Sequence, residues 1–413
     1  MMLSPPIEFV APLLLASAAT IVVLNSNSVL DESGWLSVKD QNDPAGWRYA
    51  NEWLPGAVRG RRFYPLPDET IDSSKTKAET TTTTTKKKKR EVCFVETSAA
   101  GKWRALKRHD SIQSVTLWDT KLDMAIHGTA GNEYLKTMAS VYLATNGNDD
   151  VSGNLPSSTR PSSSLLSSST GSGPPSLLYL GLGAGTLPMM VGEPARAVEL
   201  DPDVTALAKQ FCGLDSELVR VVKGNALHFD SYRFDDLGKV DSNDNGNKDE
   251  RIDTESNKER PLEPHLYQAI FVDVFGADNN VPPSFCKTKF VQRLYDNLHE
   301  GGRVIANFHR GTPAEDERLE EATAVYRQVF SDTSLGKDSS GCCCRVPVRY
   351  QGNTILCAVK RPQERPQEQH NREDKPQSIA TLLRTVDTEK LNTDADQRGW
   401  LFDPAARLQR IQD

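Results

Sequence analysis

The chain has 413 residues, of which 37% are hydrophobic, and its formal net charge is -7. This length is enough for one large or two modest domains with real cores. An acidic chain whose basic cluster, residues 86–90, follows a run of threonines offers no basic face, so we expect no nucleic-acid partner.

The chain begins with an apolar run, residues 9–24. As a helix this run would span about 24 Å, less than the roughly 30 Å of a bilayer core. Ala16-Ser17-Ala18 resembles a signal-peptidase site, but the preceding residues lack Lys and Arg and include Glu8. A targeting segment or membrane anchor and a buried or docking segment both stay open. We expect an intracellular protein of unassigned compartment, with membrane contact only if this segment is retained.

Four polar stretches, at 73–90, 146–176, 241–264 and 361–377, are poor in aromatic residues and are predicted to be disordered. The predicted organisation begins with an apolar segment (1–30), a poorly defined region ending in a Thr/Lys-rich linker (31–90) and a small β-domain with a helix (91–145). A Ser-rich insertion (146–176), an α/β domain (177–360, interrupted at 241–264) and a polar linker with a helical tail (361–413) follow.

The seven cysteines are odd in number, scattered through predicted strands, and include no CxxC pair. This pattern favours reduced thiols over a disulfide framework or a zinc site, so we expect no metal.

Short β-rich runs in residues 91–119 predict hairpins. The segment "NEYLKTMASVYLA" predicts an amphipathic helix, because its apolar residues recur near one helical face. Those residues are Tyr134, Leu135, Met138, Val141 and Tyr142.

From Leu177 strands alternate with helices, which predicts a doubly wound, mostly parallel sheet covered on both faces. The predicted strands are "LLYLGLG", "RAVELD", "VRVVKGN", "YQAIFVDVF" and "RVIANFH", and "CCCRVPVRY" with "NTILCAVKR" predicts a terminal hairpin. The segments "SIATLLRTV" and "WLFDPAARLQRI" are expected to pack on the outside.

Three glycines, Gly181, Gly183 and Gly185, follow the first of these strands and precede a helix. At the switch point of a doubly wound sheet, such glycines permit sharp turns and let a ligand approach the main chain. Glu199 ends the second strand, where an acid can accept from both hydroxyls of a ribose. Since Asp201 and Asp203 are better placed to cap the next helix, we expect Glu199 to be available to a ligand.

Asn225 follows the third strand, where its amide can meet the amine of an adenine; a plain turn asparagine is the alternative. Asp273 ends a strongly apolar strand, and an acid there is costly unless it has a use. The dinucleotide fingerprint would need a glycine at Leu187, so the pattern favours an adenosine without a pyrophosphate. S-adenosylmethionine, or its decarboxylated form, is such a ligand.

These motifs resemble class I S-adenosylmethionine-dependent methyltransferases, through "YLGLGAGT", "AVELDPDV", "VVKGNALHF", "AIFVDVFG" and "LHEGGRVIANF". Within that superfamily, "FVETSAAGKWRAL", "DSIQS", "NEYLKTMA" and "VPPSFCKTKFVQRLYDNLHEGG" resemble the spermidine synthase-like branch, the polyamine biosynthesis domain. The resemblance covers roughly residues 91–360. It implies a seven-stranded Rossmann-like methyltransferase sheet, a small N-terminal β-hairpin domain and, in many relatives, a homodimer.

The resemblance implies cofactor contacts by the three glycines, Glu199 and Asn225, and catalysis by Asp273. It also implies that Gln113 and Tyr134 line the acceptor side. Two acids that hold a polyamine in this branch are replaced by Ala184 and Gly276. We therefore expect a methyltransferase acting on a small-molecule or protein-amine acceptor. The alternatives are an aminopropyltransferase that uses the decarboxylated cofactor and a non-catalytic cofactor-binding or scaffold protein.

Overall fold

The computed structural model describes residues 59–63, 93–98, 101–108, 111–146, 176–232, 266–276, 280–331, 342–348, 352–361 and 378–412. The apolar N-terminal run, the basic cluster and all but the end residues of the four polar stretches lie outside them. Among the helices of these residues, none combines the length and the apolar character that crossing a bilayer requires. All seven cysteines are described, and each is a buried free thiol.

The first sheet is antiparallel, with its five strands in sequence order. Its first strand was not predicted, because "RGRRF" consists of Arg and Gly apart from Phe63 and gives no alternation of apolar residues. The strand nevertheless pairs with the second along its length. The five strands are β1 (Arg59–Phe63), β2 (Cys93–Ser98), β3 (Trp103–Arg108), β4 (Ser111–Asp119) and β5 (Met124–Ile126).

The second sheet has seven strands: β6 (Leu177–Leu180), β7 (Ala195–Glu199), β8 (Val219–Lys223), β9 (Tyr267–Val272), β10 (Leu298–His309), β11 (Cys343–Pro347) and β12 (Asn353–Val359). Their order is β11-β12-β10-β9-β6-β7-β8. Only β12 runs against the others, and it forms the predicted hairpin with β11. The predicted fold class is confirmed, and its switch point lies between β6 and β9.

Helices cover both faces of this sheet. Local chemistry fixes their starts: Asp201 caps one helix by accepting from the Asp203 N–H, and Thr312 forms a capping box with Glu315 in another. The helices are α1 (Glu133–Asn146), α2 (Thr186–Val191), α3 (Pro202–Phe211), α4 (Thr288–Asp296), α5 (Pro313–Phe330), α6 (Ile379–Arg384) and α7 (Thr388–Gln397), with 3-10 turns at Ala226–Ser231, Pro283–Cys286 and Ala405–Leu408.

Helix α1 differs from the amphipathic helix that was predicted. Every residue from Glu133 to Thr145 is buried, because the C-terminal residues 378–412 pack against the side of α1 that faces away from the sheet. Phe402 belongs to the same apolar cluster as the helix. The fully buried Lys136 donates to Glu133 (2.7 Å), and Arg407 donates to the other oxygen of that carboxylate (3.1 Å). The predicted outer tail is therefore part of the core.

Candidate cofactor and acceptor site

The glycine loop joins β6 to α2, and its three glycines have φ values of +85°, +54° and +75°. Protein atoms occupy the space in which side chains would lie. A Cβ on Gly181 would be 2.2 Å from the carbonyl oxygen of Asp273, and one on Gly185 would be 2.7 Å from Leu214. Positive φ and close packing thus explain why positions 181 and 185 are glycines. Because Gly181 has no side chain, the loop packs directly against the end of β9. The predicted contact of the glycines with a cofactor stays a prediction.

The small sheet closes over this loop. A Cβ on Gly183 would lie 3.4 Å from the Cβ of Ser114 on β4. The hydroxyls of Ser114 and Thr116 lie 3.1 Å and 2.9 Å from that of Thr186, at the start of α2. Hydroxyl contacts therefore fix β4 against the loop and place Gln113 beside the switch point.

Glu199 ends β7 and is bonded to the backbone on both carboxylate oxygens. One oxygen accepts from the N–H of Leu182 in the glycine loop (3.0 Å), and the other accepts from the N–H of Asp201 (2.9 Å). Burial raises the pKa of Glu199, while these N–H donors act in the opposite direction. The side chain is partly exposed, and the N–H of Leu200 also bonds to the carboxylate, so three of its four lone pairs are engaged. Glu199 is thus less free than expected, but it is still able to accept.

Asn225 is exposed, and it caps the 3-10 turn that follows β8. Its side-chain oxygen accepts from the N–H of Leu227 (3.0 Å), and its backbone N–H donates to the Tyr232 hydroxyl (2.7 Å). This geometry is that of the turn asparagine considered as the alternative. Leu200, directly after Glu199, is 64% exposed.

Asp273 directly follows β9 and lies at the switch point. Its carboxylate accepts from Nδ2 of Asn307 (2.9 Å). Burial raises the pKa of Asp273 to about 6; hydrogen bonds from Asn307 and Tyr134 oppose the rise, and the charge of Glu199 adds to it. Asp273 is therefore ionised at neutral pH, yet basic enough to accept a proton.

Tyr134 connects Asp273 to the small sheet. Its hydroxyl also lies 3.3 Å from the backbone oxygen of Gln113. Burial first, and then the neighbouring Asp273, raise the pKa of Tyr134 well above its usual value, so the phenol stays protonated. Tyr134 and Gln113, both predicted, line a cavity of about 250 Å³ together with Ile112, Asn132, Phe275, His309, Gly352 and Asn353.

Apart from Ile112, Asn132 and Gly352 in the cavity wall, the residues at this site that were not predicted are Phe275, Asn307, His309 and Asn353. Phe275 and His309 stack with their ring centroids 4.3 Å apart. Asn307 did carry a signal in the sequence, because an amide inside the apolar run "RVIANF" is costly unless it is bonded. Asn353, at the start of a strand, carried no such signal in the sequence.

Comparison with known proteins finds no matching family model and no matching curated protein. Among solved structures, similar ones include a probable spermidine synthase from Corynebacterium glutamicum, with 15% identity over 74% of this chain and 91% of that one (TM-score 0.44). Human methyltransferase-like protein 13, in complex with SAH, is 19% identical over 67% and 92% (TM-score 0.36). Spermidine synthase from Thermotoga maritima is 14% identical over 74% and 84% (TM-score 0.36). All three identities lie below 25% and all three TM-scores below 0.5, so these similarities assign neither a family nor an activity to the chain.

Proposed function

We propose that the chain is an S-adenosylmethionine-dependent methyltransferase of spermidine synthase-like fold, with a small-molecule or protein amine as acceptor. The observation that carries the proposal is the position of Asp273. The backbone of Asp273 lies against the glycine loop at the switch point of the sheet, and its carboxylate is hydrogen-bonded to the cavity-lining Tyr134.

The residues around Glu199 fit the nucleoside part of the cofactor. Its carboxylate keeps a lone pair for a ribose hydroxyl. The exposed Leu200 next to it offers an apolar surface for a purine. The oxygen of Asn225 is used in the cap, but its Nδ2 is left to donate to a ring nitrogen. When bound, S-adenosylmethionine supplies a methyl group already activated by a sulfonium, whose sulfur takes the electron pair of the broken bond.

Asp273 and Tyr134 perform the protein's part of the transfer. The nitrogen or oxygen of the acceptor forms a bond to the methyl carbon and loses a proton, and the Asp273 carboxylate accepts that proton. The Tyr134 hydroxyl holds the carboxylate and, with Gln113, borders the space for the acceptor. Closure of the small sheet over the loop excludes water and aligns the acceptor, which is most of what this chemistry requires.

The cavity favours methyl transfer over aminopropyl transfer. A polyamine carries two or three positive charges, which paired carboxylates would stabilise. None of the described residues that line the cavity is Asp or Glu. Ala184 is buried among apolar side chains, and Gly276 has no side chain. Aminopropyl transfer is the second-ranked function, and a non-catalytic cofactor-binding protein is the third.

Calorimetry with S-adenosylmethionine tests the proposal. We expect the purified chain to bind the cofactor, and no heat of binding would refute every transferase function. Incubation with decarboxylated cofactor and putrescine separates the alternatives, because formation of spermidine would reverse the ranking. Mass spectrometry of cells with and without the protein would then identify acceptors that gain one methylene.

A further inference from the structure

A chain of side-chain amides connects Asp273 to the wall of the cavity. Nδ2 of Asn307, on β10, donates to Asp273 (2.9 Å), and Nδ2 of Asn353, on β12, donates to the oxygen of Asn307 (3.0 Å). Asn307 is 1% exposed. Asn353 lines the cavity. Three strands that are neighbours in the sheet thus contribute one side chain each to a continuous path.

The chemistry of these groups determines which one donates and which one accepts each hydrogen bond along the path. An ionised carboxylate only accepts hydrogen bonds, so Asn307 must present its N–H to Asp273. The amide oxygen of Asn307 then points away and needs a donor, which Asn353 provides. If the Asn307 amide were turned over, its oxygen would face the carboxylate and its N–H would face the N–H of Asn353. The carboxylate therefore sets the orientation of Asn307, and the donor on Asn353 stabilises that orientation by satisfying the amide oxygen.

We infer that Asn307 and Asn353 are positioning residues for Asp273. Asn307 holds the carboxylate and favours its ionised form, and Asn353 holds Asn307 in the orientation that does so. The catalytic meaning of this inference rests on the proposed function. Since Asn353 lines the cavity, an acceptor that engages its amide also affects the basicity of Asp273. Among the residues that the structure describes, the other titratable groups whose charge or hydrogen bond acts on Asp273 are Glu199 on β7 and Tyr134 on α1.

Titration of Asp273 by NMR, on the full-length chain with carbon-13 in its aspartate carboxyl groups, tests the inference. The Asp273→Asn variant identifies the resonance by its loss. Asn307→Leu should raise the titration midpoint from about 6 by about one pH unit, because a donor to the charged form is lost. Asn353→Leu should raise it by less. Thr354→Val is the matched control, since the buried Thr354 hydroxyl has no partner, and its midpoint should equal that of the wild type.

Asn353→Ala serves as a second variant, because the smaller side chain introduces no steric clash. It should shift the midpoint in the same direction as Asn353→Leu. A midpoint in both Asn353 variants equal to that of Thr354→Val would overturn the inference. The titration requires neither cofactor nor acceptor. Failure to bind S-adenosylmethionine would therefore refute the proposed function and leave the Asp273 midpoints as an independent result.

Discussion

The two sides of the site are built in different ways. On the cofactor side, Gly181, Glu199 and Asn225 lie within a short part of the chain, and the side-chain contacts of Glu199 and Asn225 are with backbone N–H groups. The acceptor side takes residues from both sheets, from Gln113 to Asn353, and side chains contact one another there.

This difference predicts that cofactor binding and methyl transfer can be impaired separately. Backbone groups at the ends of β6, β7 and β8 hold the proposed cofactor side in place, and the small sheet adds the hydroxyl contacts of Ser114 and Thr116 with Thr186. The acceptor side exists only where β4, α1 and the ends of β9, β10 and β12 meet. Substitutions on the first side should weaken cofactor binding, and those on the second should slow transfer while binding persists.

The largest effect is expected for Asp273→Asn. Loss of the proton acceptor should reduce the transfer rate by about 10²- to 10⁴-fold, since general-base catalysis contributes that much. Cofactor affinity by calorimetry should stay within a few fold of wild type. Equal losses in rate and affinity would instead place Asp273 on the cofactor side.

Glu199→Ala should weaken S-adenosylmethionine binding by about 10- to 100-fold. A hydrogen bond to a charged group is lost, of roughly 1.5–3 kcal/mol, and 1.4 kcal/mol corresponds to tenfold. Calorimetry measures the affinity, and thermal unfolding checks that the loop still folds without the Leu182 contact. Glu217→Gln, an exposed acid between α3 and β8, should bind as wild type does. Unchanged affinity in Glu199→Ala would exclude the ribose contact.

The pH dependence of transfer should follow Asp273. Its carboxylate is the active form and its pKa is about 6. Activity should therefore fall about tenfold per pH unit below that value and level off above it. The measurement is kcat/KM over a pH series, once an acceptor is known. Activity that decreases as pH rises through this range would contradict the assignment of Asp273 as base.

Leu200→Ser should give the smallest effect, a weakening of cofactor binding by about tenfold or less. The exposed leucine would bury part of its surface against a purine, and full burial of a leucine stabilises by about 1.5–3 kcal/mol. Because the side chain is 64% exposed in this structure, the fold should keep its stability in thermal unfolding. Wild-type affinity would remove Leu200 from the cofactor surface.

Much of this architecture could be predicted from the sequence. Apolar runs and helical patterns from Leu177 onward predicted the alternating strands and helices, and β-rich runs predicted the hairpins of the small sheet. The polar residues at strand ends pointed to one edge of the sheet, because parallel strands present their carboxyl ends together. That rule singled out Gly181, Glu199 and Asp273 as candidate site residues.

What the sequence could not supply were contacts between distant segments. No feature of "NEYLKTMASVYLA" shows that residues 378–412 cover its polar face, yet Lys136 lies fully buried beside Glu133. Likewise, nothing near Asn353 indicates that its amide meets Asn307. Local patterns determine which elements form, because they depend on the backbone and its neighbours. The tertiary structure alone decided which side chains meet, because that depends on how whole strands and helices pack.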